Sequence, residues 1–166
     1  MTNTAPLLIA FTAILFAASN PSDVDSPAAF TRLKTLAGKW QADTPMGKAY
    51  LDYEVVADGA SLVERETYEH MATMLTVYSM DNGRLVLTHY CETGNQPHMR
   101  ATSFDPATGE LKFDFVDAGN LPDKNAMHMH DATFHIVDAD HLATAWDMFE
   151  GGRTKMLVES QFTRVR

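Results

Sequence analysis

From Trp40 to the C-terminus, apolar and polar side chains alternate with a period of two, broken at short intervals by turn residues. Residues two apart on a strand share a face, so each alternating run predicts a half-buried β-strand. The runs are Trp40–Asp43, Ala49–Val56, Leu62–Glu69, Thr73–Met80, Arg84–Cys91, His98–Asp105, Glu110–Val116, His128–Val137, His141–Phe149 and Lys155–Thr163. Between them stand Asp58-Gly59, Asp81-Asn82-Gly83, Asp105-Pro106-Ala107-Thr108-Gly109, Asp138-Ala139-Asp140 and Glu150-Gly151-Gly152. Such residues accept positive φ or bond their own backbone. About ten strands joined by hairpins predict an all-β fold, a single antiparallel up-and-down β-barrel whose closure removes exposed edges. Ahead of the strands, Ser26 is the expected cap of a short N-terminal helix beginning at Pro27. Phe30, Leu33 and Leu36 recur there at helical spacing, and Gly38 ends the segment.

The same alternation sorts the faces. It turns Leu51, Tyr53 and Val55 inward, then Leu111, Phe113 and Phe115, then Leu142, Trp146 and Met148, and finally Met156, Val158 and Phe162. Carried into the less regular strands, it points Phe134 and Ile136 inward together with Ala132, His130 and His128. Leu85 and Leu87 bring His89 and Cys91, and Leu62 brings Glu64 and Glu66. A β-bulge would reverse any of these beyond the bulge.

The first residues follow a different pattern. Ala5 to Ala18 carries no charge, and the first charged side chain is Asp23. The run is shorter than the roughly 20 residues that span a bilayer as a helix, but it suits the apolar core of a signal peptide. Ala17 and Ser19 stand at the small-residue positions of a cleavage site. The expected organisation is a leader over 1–19, a linker over 20–26 and one barrel domain over 27–166, with export to the periplasm or medium and no stable membrane anchor once the leader is gone. An uncleaved anchor is the competing reading, since no Lys or Arg precedes the apolar run.

At 166 residues the chain suits one domain with a good core. Every Lys, Arg, Asp and Glu follows the leader, so the mature chain keeps the formal charge of −9. That disfavours nucleic acid, which calls for a basic patch, and anionic membrane surfaces. Cys91 is the only cysteine, so core and sheet hold the fold without an internal disulfide.

Burying polar groups costs free energy unless they find partners, so inward-facing histidines and glutamates mark a candidate site. His128 and His130 have a spacing that serves a divalent metal if His89 or Glu64 adds a third ligand; the bland alternative is an exposed strand start. Glu64 with a raised pKa beside His89 would make an acid–base pair, with Arg100 or a tyrosine as a further partner. If Arg65 and Val63 face inward instead, both glutamates are solvated. Cys91 lies far from His89 for a thiolate–imidazole pair, and a buried structural thiol is the preferred reading. Tyr53, Tyr68, Tyr78, Phe113, Phe115, Phe134 and Trp146 supply core or cavity wall. Met71, Met74, Met80 and Met99 suit an adaptable lining, Asn95 and Gln96 stand at the rim, and His135 and His141 are expected in solvent.

Leu36-Ala37-Gly38-Lys39-Trp40, after a short helix and opening the first strand, resembles the Gly-x-Trp signature of the calycin barrels, which include lipocalins, fatty-acid-binding proteins and haem-binding nitrobindins. The resemblance implies a calycin-like barrel whose tryptophan plugs the closed end beneath an arginine of the last strand, Arg164 or Arg166. Thr88-His89-Tyr90-Cys91 and Gly94-Asn95-Gln96-Pro97-His98-Met99-Arg100 also resemble a stretch of bacterial lipocalin-like proteins, which implies no particular function. The histidine motifs of nitrobindins find no match, so haem and a divalent metal both stay open as cofactors.

These readings converge on an exported barrel holding a small, largely apolar molecule. Its expected contacts are Glu64, Tyr78, His89, Cys91, Arg100, Phe113, His128, His130, Phe134 and Trp146. The alternatives are an enzyme on the same scaffold, with a metal on His89, His128 and His130 or acid–base work by Glu64 and His89, and a packed structural or interaction module. Whether the chain is an enzyme stays open at this stage.

Overall fold

In a computed structural model, which describes residues 24–166, the alternating runs form ten antiparallel strands. They are β1 (Gly38–Thr44), β2 (Gly47–Val56), β3 (Ser61–Tyr68), β4 (Met74–Asp81), β5 (Arg84–Tyr90), β6 (Gln96–Asp105), β7 (Glu110–Gly119), β8 (His128–Ile136), β9 (His141–Glu150) and β10 (Arg153–Arg164). Each pairs with its neighbours in sequence, and β1 pairs with β10 to close the barrel. The closing seam is short, with Trp40 opposite Arg164 and Gln41 opposite Thr163. The expected leader Ala5–Ala18, the cleavage after Ser19 and most of the linker lie outside the described residues. Among the described residues no helix is long and apolar enough to cross a membrane.

One helix, α1 (Ser26–Lys34), precedes the strands. Its cap is Asp25 rather than Ser26: the Asp25 carboxylate accepts from the Ala28 amide at 3.0 Å, and a negative charge there also suits the positive end of the helix dipole. The helix stops at Lys34, before Gly38. Gly38 instead opens β1 at φ +123°, where a Cβ would stand 2.9 Å from Nη1 of Arg164.

The helix packs beside β4, β5 and β6, burying Ala29, Phe30 and Leu33 against one end of the barrel. Trp40 is fully buried at that end, and its indole N–H donates to the Leu36 carbonyl at 2.8 Å. Arg164 covers the ring at 4.1 Å and donates to the carbonyls of Ala37 (2.7 Å) and Thr35 (2.9 Å). Arg164 thus makes the expected stack, whereas Arg166 pairs with Asp140.

The inward residues are mostly those the alternation marks, including Leu51, Tyr53, Leu62, Leu111, Phe113, Phe134, Leu142, Trp146 and Phe162. Val55 departs from it, at 40% exposed, while Met156, at 44%, keeps the lumen side at the open rim. A larger correction concerns β8. Its register against β9 shifts between Met129 and Asp131, so that Met129 faces Met148, Asp131 faces Asp147 and His130 is left without a partner. This β-bulge reverses the alternation. Met129 joins Met148 on the lumen side, while His128 turns to the opposite face opposite Phe149. His128 and His130 therefore do not point into the lumen.

Candidate functional site

A row of polar side chains crosses the inner wall from β2 to β5. Tyr53 faces Glu64, Glu64 faces Thr76, and Thr76 faces His89, each on an adjacent strand. All four are buried. Thr76 Oγ1 lies 2.9 Å from His89 Nδ1, and the Tyr78 hydroxyl donates to Glu64 Oε2 at 2.6 Å. The register thus turns Glu64 and Glu66 inward with Leu62, while Arg65 sits outside and pairs with Glu54 at 3.2 Å. Tyr78, Phe113 and Phe134 pack edge-on or tilted, with centroids 5.9–6.1 Å apart, and Trp146 meets Phe134 edge-on at 5.8 Å. This layer is solid core.

Beyond it, at the end away from α1, lies a cavity of about 60 Å³. Glu66, His89 and Trp146 line it, with the His89 and Trp146 rings 5.2 Å apart. Tyr68, Cys91 and Val158 extend the wall, and Met46, Met71, Met74, Met129, Met148 and Met156 complete it. Met46 and Met156 are both more than 40% exposed, so the methionine rim reaches solvent. His89 Nε2 is buried and has no hydrogen-bond partner.

Burial controls the charge state here. It raises the Glu66 pKa to about 8, with the neighbouring Glu64 carboxylate adding to the effect. Glu64 is raised too, by burial, against the opposing hydrogen bond from Tyr78. Burial lowers His89 to about 4. Near neutral pH the cavity therefore presents a protonated carboxyl of Glu66 as a donor and a neutral imidazole. This end of the lumen can hydrogen-bond a neutral polar group while surrounding the rest of a ligand with apolar wall.

Of the residues expected at the site, His89, Cys91 and Trp146 line the cavity. Glu64, Tyr78, Phe113 and Phe134 lie in the packed layer beneath it, so the carboxyl that shares the cavity with His89 is Glu66 rather than Glu64. Arg100 lies outside the lumen. Met99 and Ala101 are the buried inward residues of β6, and Arg100, between them, borders an outer groove with Ser26 and Arg84.

His128 and His130 join Phe115 and Phe149 in an aromatic cluster. It lies where β7 and β8 part, since these strands pair only over Glu110–Phe113 and Ala132–His135. His130 stacks on Phe149 at 4.5 Å and on Phe115 at 4.8 Å, and His128 Nδ1 donates to the Ala126 carbonyl at 2.7 Å. The expected metal set of His89, His128 and His130 is therefore not assembled. Among the described residues no three His, Cys, Asp or Glu side chains converge as metal ligands.

Asn95 donates to the Met127 carbonyl and Gln96 to that of Gly94, so both serve the loops. His135 and His141 are exposed, the latter against Asp138. Of the methionines expected in the lining, Met71 and Met74 are there, while Met99 is core. Sequence reasoning turned Glu66 inward but chose Glu64 as the ligand contact, and it passed over the methionines of β8 to β10 as site residues. Met148 and Met156 were readable from their alternation with Trp146 and Val158; Met129 was hidden by the bulge.

No protein-family model matches the chain, and no curated protein matches it by sequence. Among solved structures it is similar to the crystal structure of Rv2717c from M. tuberculosis, with a TM-score of 0.57 and 15% sequence identity. The match covers 83% of this chain and 98% of that one. At that identity the likeness is one of fold.

Proposed function

We propose that this protein is an exported, calycin-like carrier that takes a small, largely apolar molecule into the barrel end opposite the helix. The observation that carries the proposal is His89 Nε2, buried and unpartnered, on a residue that lines a mostly apolar cavity together with Glu66. A buried polar atom without a partner is destabilising, and a ligand's hydroxyl, carbonyl or amide would relieve it. The Trp40–Arg164 stack after Gly38 supports the calycin-like assignment, and the uncharged run Ala5–Ala18 supports export.

The cavity of about 60 Å³ has room for roughly two waters, against about 300–1,000 Å³ for pockets that enclose drug-sized ligands. The ligand is accordingly either a few heavy atoms in size or enters by one end, with its remainder on the methionine rim. Unbranched thioether side chains re-pack readily, so the mouth can widen without moving the strands.

Thermal-shift and native mass-spectrometry screening of the purified mature chain against short alcohols, fatty acids, fatty amides and aromatic lipophiles tests the reading. A stabilising ligand bound at one equivalent, with its effect lost in His89→Phe, is expected. A full panel without stabilisation or a bound species overturns it.

A further inference from the structure

Six of the protein's 10 methionines line this one cavity: Met46, Met71, Met74, Met129, Met148 and Met156. Three of them form a continuous row across adjacent strands. Met129 of β8 faces Met148 of β9, and Met148 faces Met156 of β10. On the opposing wall, the register that pairs Leu75 with Tyr90 and Thr76 with His89 places Met74 beside Cys91 and two residues from His89 along the lumen face. The single thiol of the chain and one imidazole thus share the cavity with the methionine row. That imidazole is anchored through Nδ1 by Thr76, its buried Nε2 is unpartnered, and the residue lines the cavity.

Apolarity alone does not explain the choice of residue. Leucine would make an equally apolar wall with a better-defined rotamer, whereas methionine adds a polarisable sulfur. Thioether, thiolate and neutral imidazole are soft or borderline donors, and soft sulfur ligands select Cu(I) over the hard divalent cations. A hard or borderline divalent ion lacks its usual ligand set among the described residues, where no three His, Cys, Asp or Glu side chains converge. A soft monovalent ion needs no such set. The cavity of about 60 Å³ also leaves room for an ion among the thioethers.

We propose that this mouth is a binding site for a soft monovalent metal ion, Cu(I), held by His89 Nε2 together with sulfur from Cys91 and the surrounding methionines. The flexible thioethers close around the ion while the anchored histidine fixes its depth. The proposal goes beyond small-molecule carriage and does not depend on it.

The test is anaerobic titration of the tag-free protein with Cu(I) against a chromophoric Cu(I) chelator, with Ag(I) as a redox-inert second probe. One equivalent withheld from the chelator is expected, and copper K-edge absorption should then show sulfur and nitrogen neighbours. The deciding variant is the triple substitution Met129→Leu, Met148→Leu, Met156→Leu. Methionine-to-leucine exchange conserves volume and usually preserves folding, so the apolar wall remains while the sulfur is lost. We expect Cu(I) affinity to fall at least tenfold and Cys91→Ala to weaken it further, with the circular dichroism spectrum and unfolding midpoint of the metal-free triple variant close to those of the wild type. Cu(I) left entirely to the chelator, equal affinity in the triple variant, or an absorption edge without sulfur neighbours would each overturn the proposal. Loss of lipophile binding in wild-type protein that still retains Cu(I) would instead count against the carrier reading alone.

Discussion

The Tyr78 hydroxyl donates to Glu64 Oε2 across 2.6 Å inside the barrel, and both residues are buried. Glu64 is raised by burial and Tyr78 stays a phenol, also chiefly through burial, so the pair joins neighbouring strands through a hydrogen bond that water does not reach. Tyr78→Phe keeps the ring contacts with Phe113 and Phe134 but withdraws the donor. The expected loss of unfolding free energy is about 1–3 kcal/mol, the penalty for an unsatisfied buried polar group. Urea denaturation measures it, and an unchanged midpoint would show that the carboxyl finds another partner.

Glu66 gives the protein a pH dependence of defined sign. Its pKa is 4.5 in the reference state and about 8 in the fold. Between those values the folded chain holds a proton that the unfolded chain has released. This contribution is therefore complete below about pH 4.5 and lost as pH rises towards 8. His89 acts oppositely: lowered from 6.5 to about 4, its contribution is present above pH 6.5 and lost as pH falls towards 4. Between pH 6.5 and 8 the carboxyl slope therefore stands clear of His89. Stability should fall across this interval in the wild type and fall less in Glu66→Gln, as thermal unfolding in matched buffers will record.

Arg164 locks the short β1–β10 seam by covering Trp40 and binding the Thr35 and Ala37 carbonyls. Arg164→Ala should destabilise by about 2 kcal/mol or more, combining lost charged hydrogen bonds with the lost cation–π contact. Lysine cannot reproduce the planar fork, so Arg164→Lys should recover only part of that. Gly38→Ala should cost about 1 kcal/mol or more, since Gly38 has a φ of +123° and a Cβ would meet the guanidinium at 2.9 Å. Denaturant midpoints of the three variants check the ordering, and an unaffected Arg164→Ala protein would contradict it.

Much of this architecture was legible because alternation and turn chemistry act locally. Leu111 and Phe113 alternate with Lys112, and Asp81-Asn82-Gly83 interrupts the pattern at the β4–β5 turn. The stack on Trp40 was implied only by the likeness of Gly38-Lys39-Trp40 to the calycin signature, which left Arg164 and Arg166 as alternatives. The site was less legible because it depends on register between distant strands. No residue near His130 announces the bulge that sends Met129 inward and His128 outward. The choice between Glu64 and Glu66 likewise rests on depth along the barrel axis, a quantity that alternation leaves undetermined.

The aromatic cluster of His128 and His130 should be independent of the cavity. His128→Leu is expected to leave any ligand-induced thermal shift unchanged, although it removes the bond to the Ala126 carbonyl and lowers the basal midpoint. A lost ligand response with intact folding would reconnect this cluster to the binding site.

The most direct test uses the two tryptophans, which stand at different ends of the barrel. Trp146 lines the cavity beside His89, while Trp40 is sealed under Arg164 near the helix. Fluorescence titration with a brominated short-chain lipophile should quench the wild-type protein saturably. In Trp146→Phe, where only Trp40 emits, that quenching should disappear. No quenching in the wild type, or equal quenching in the variant, would contradict a ligand site in the methionine-lined cavity at the end of the barrel away from the helix.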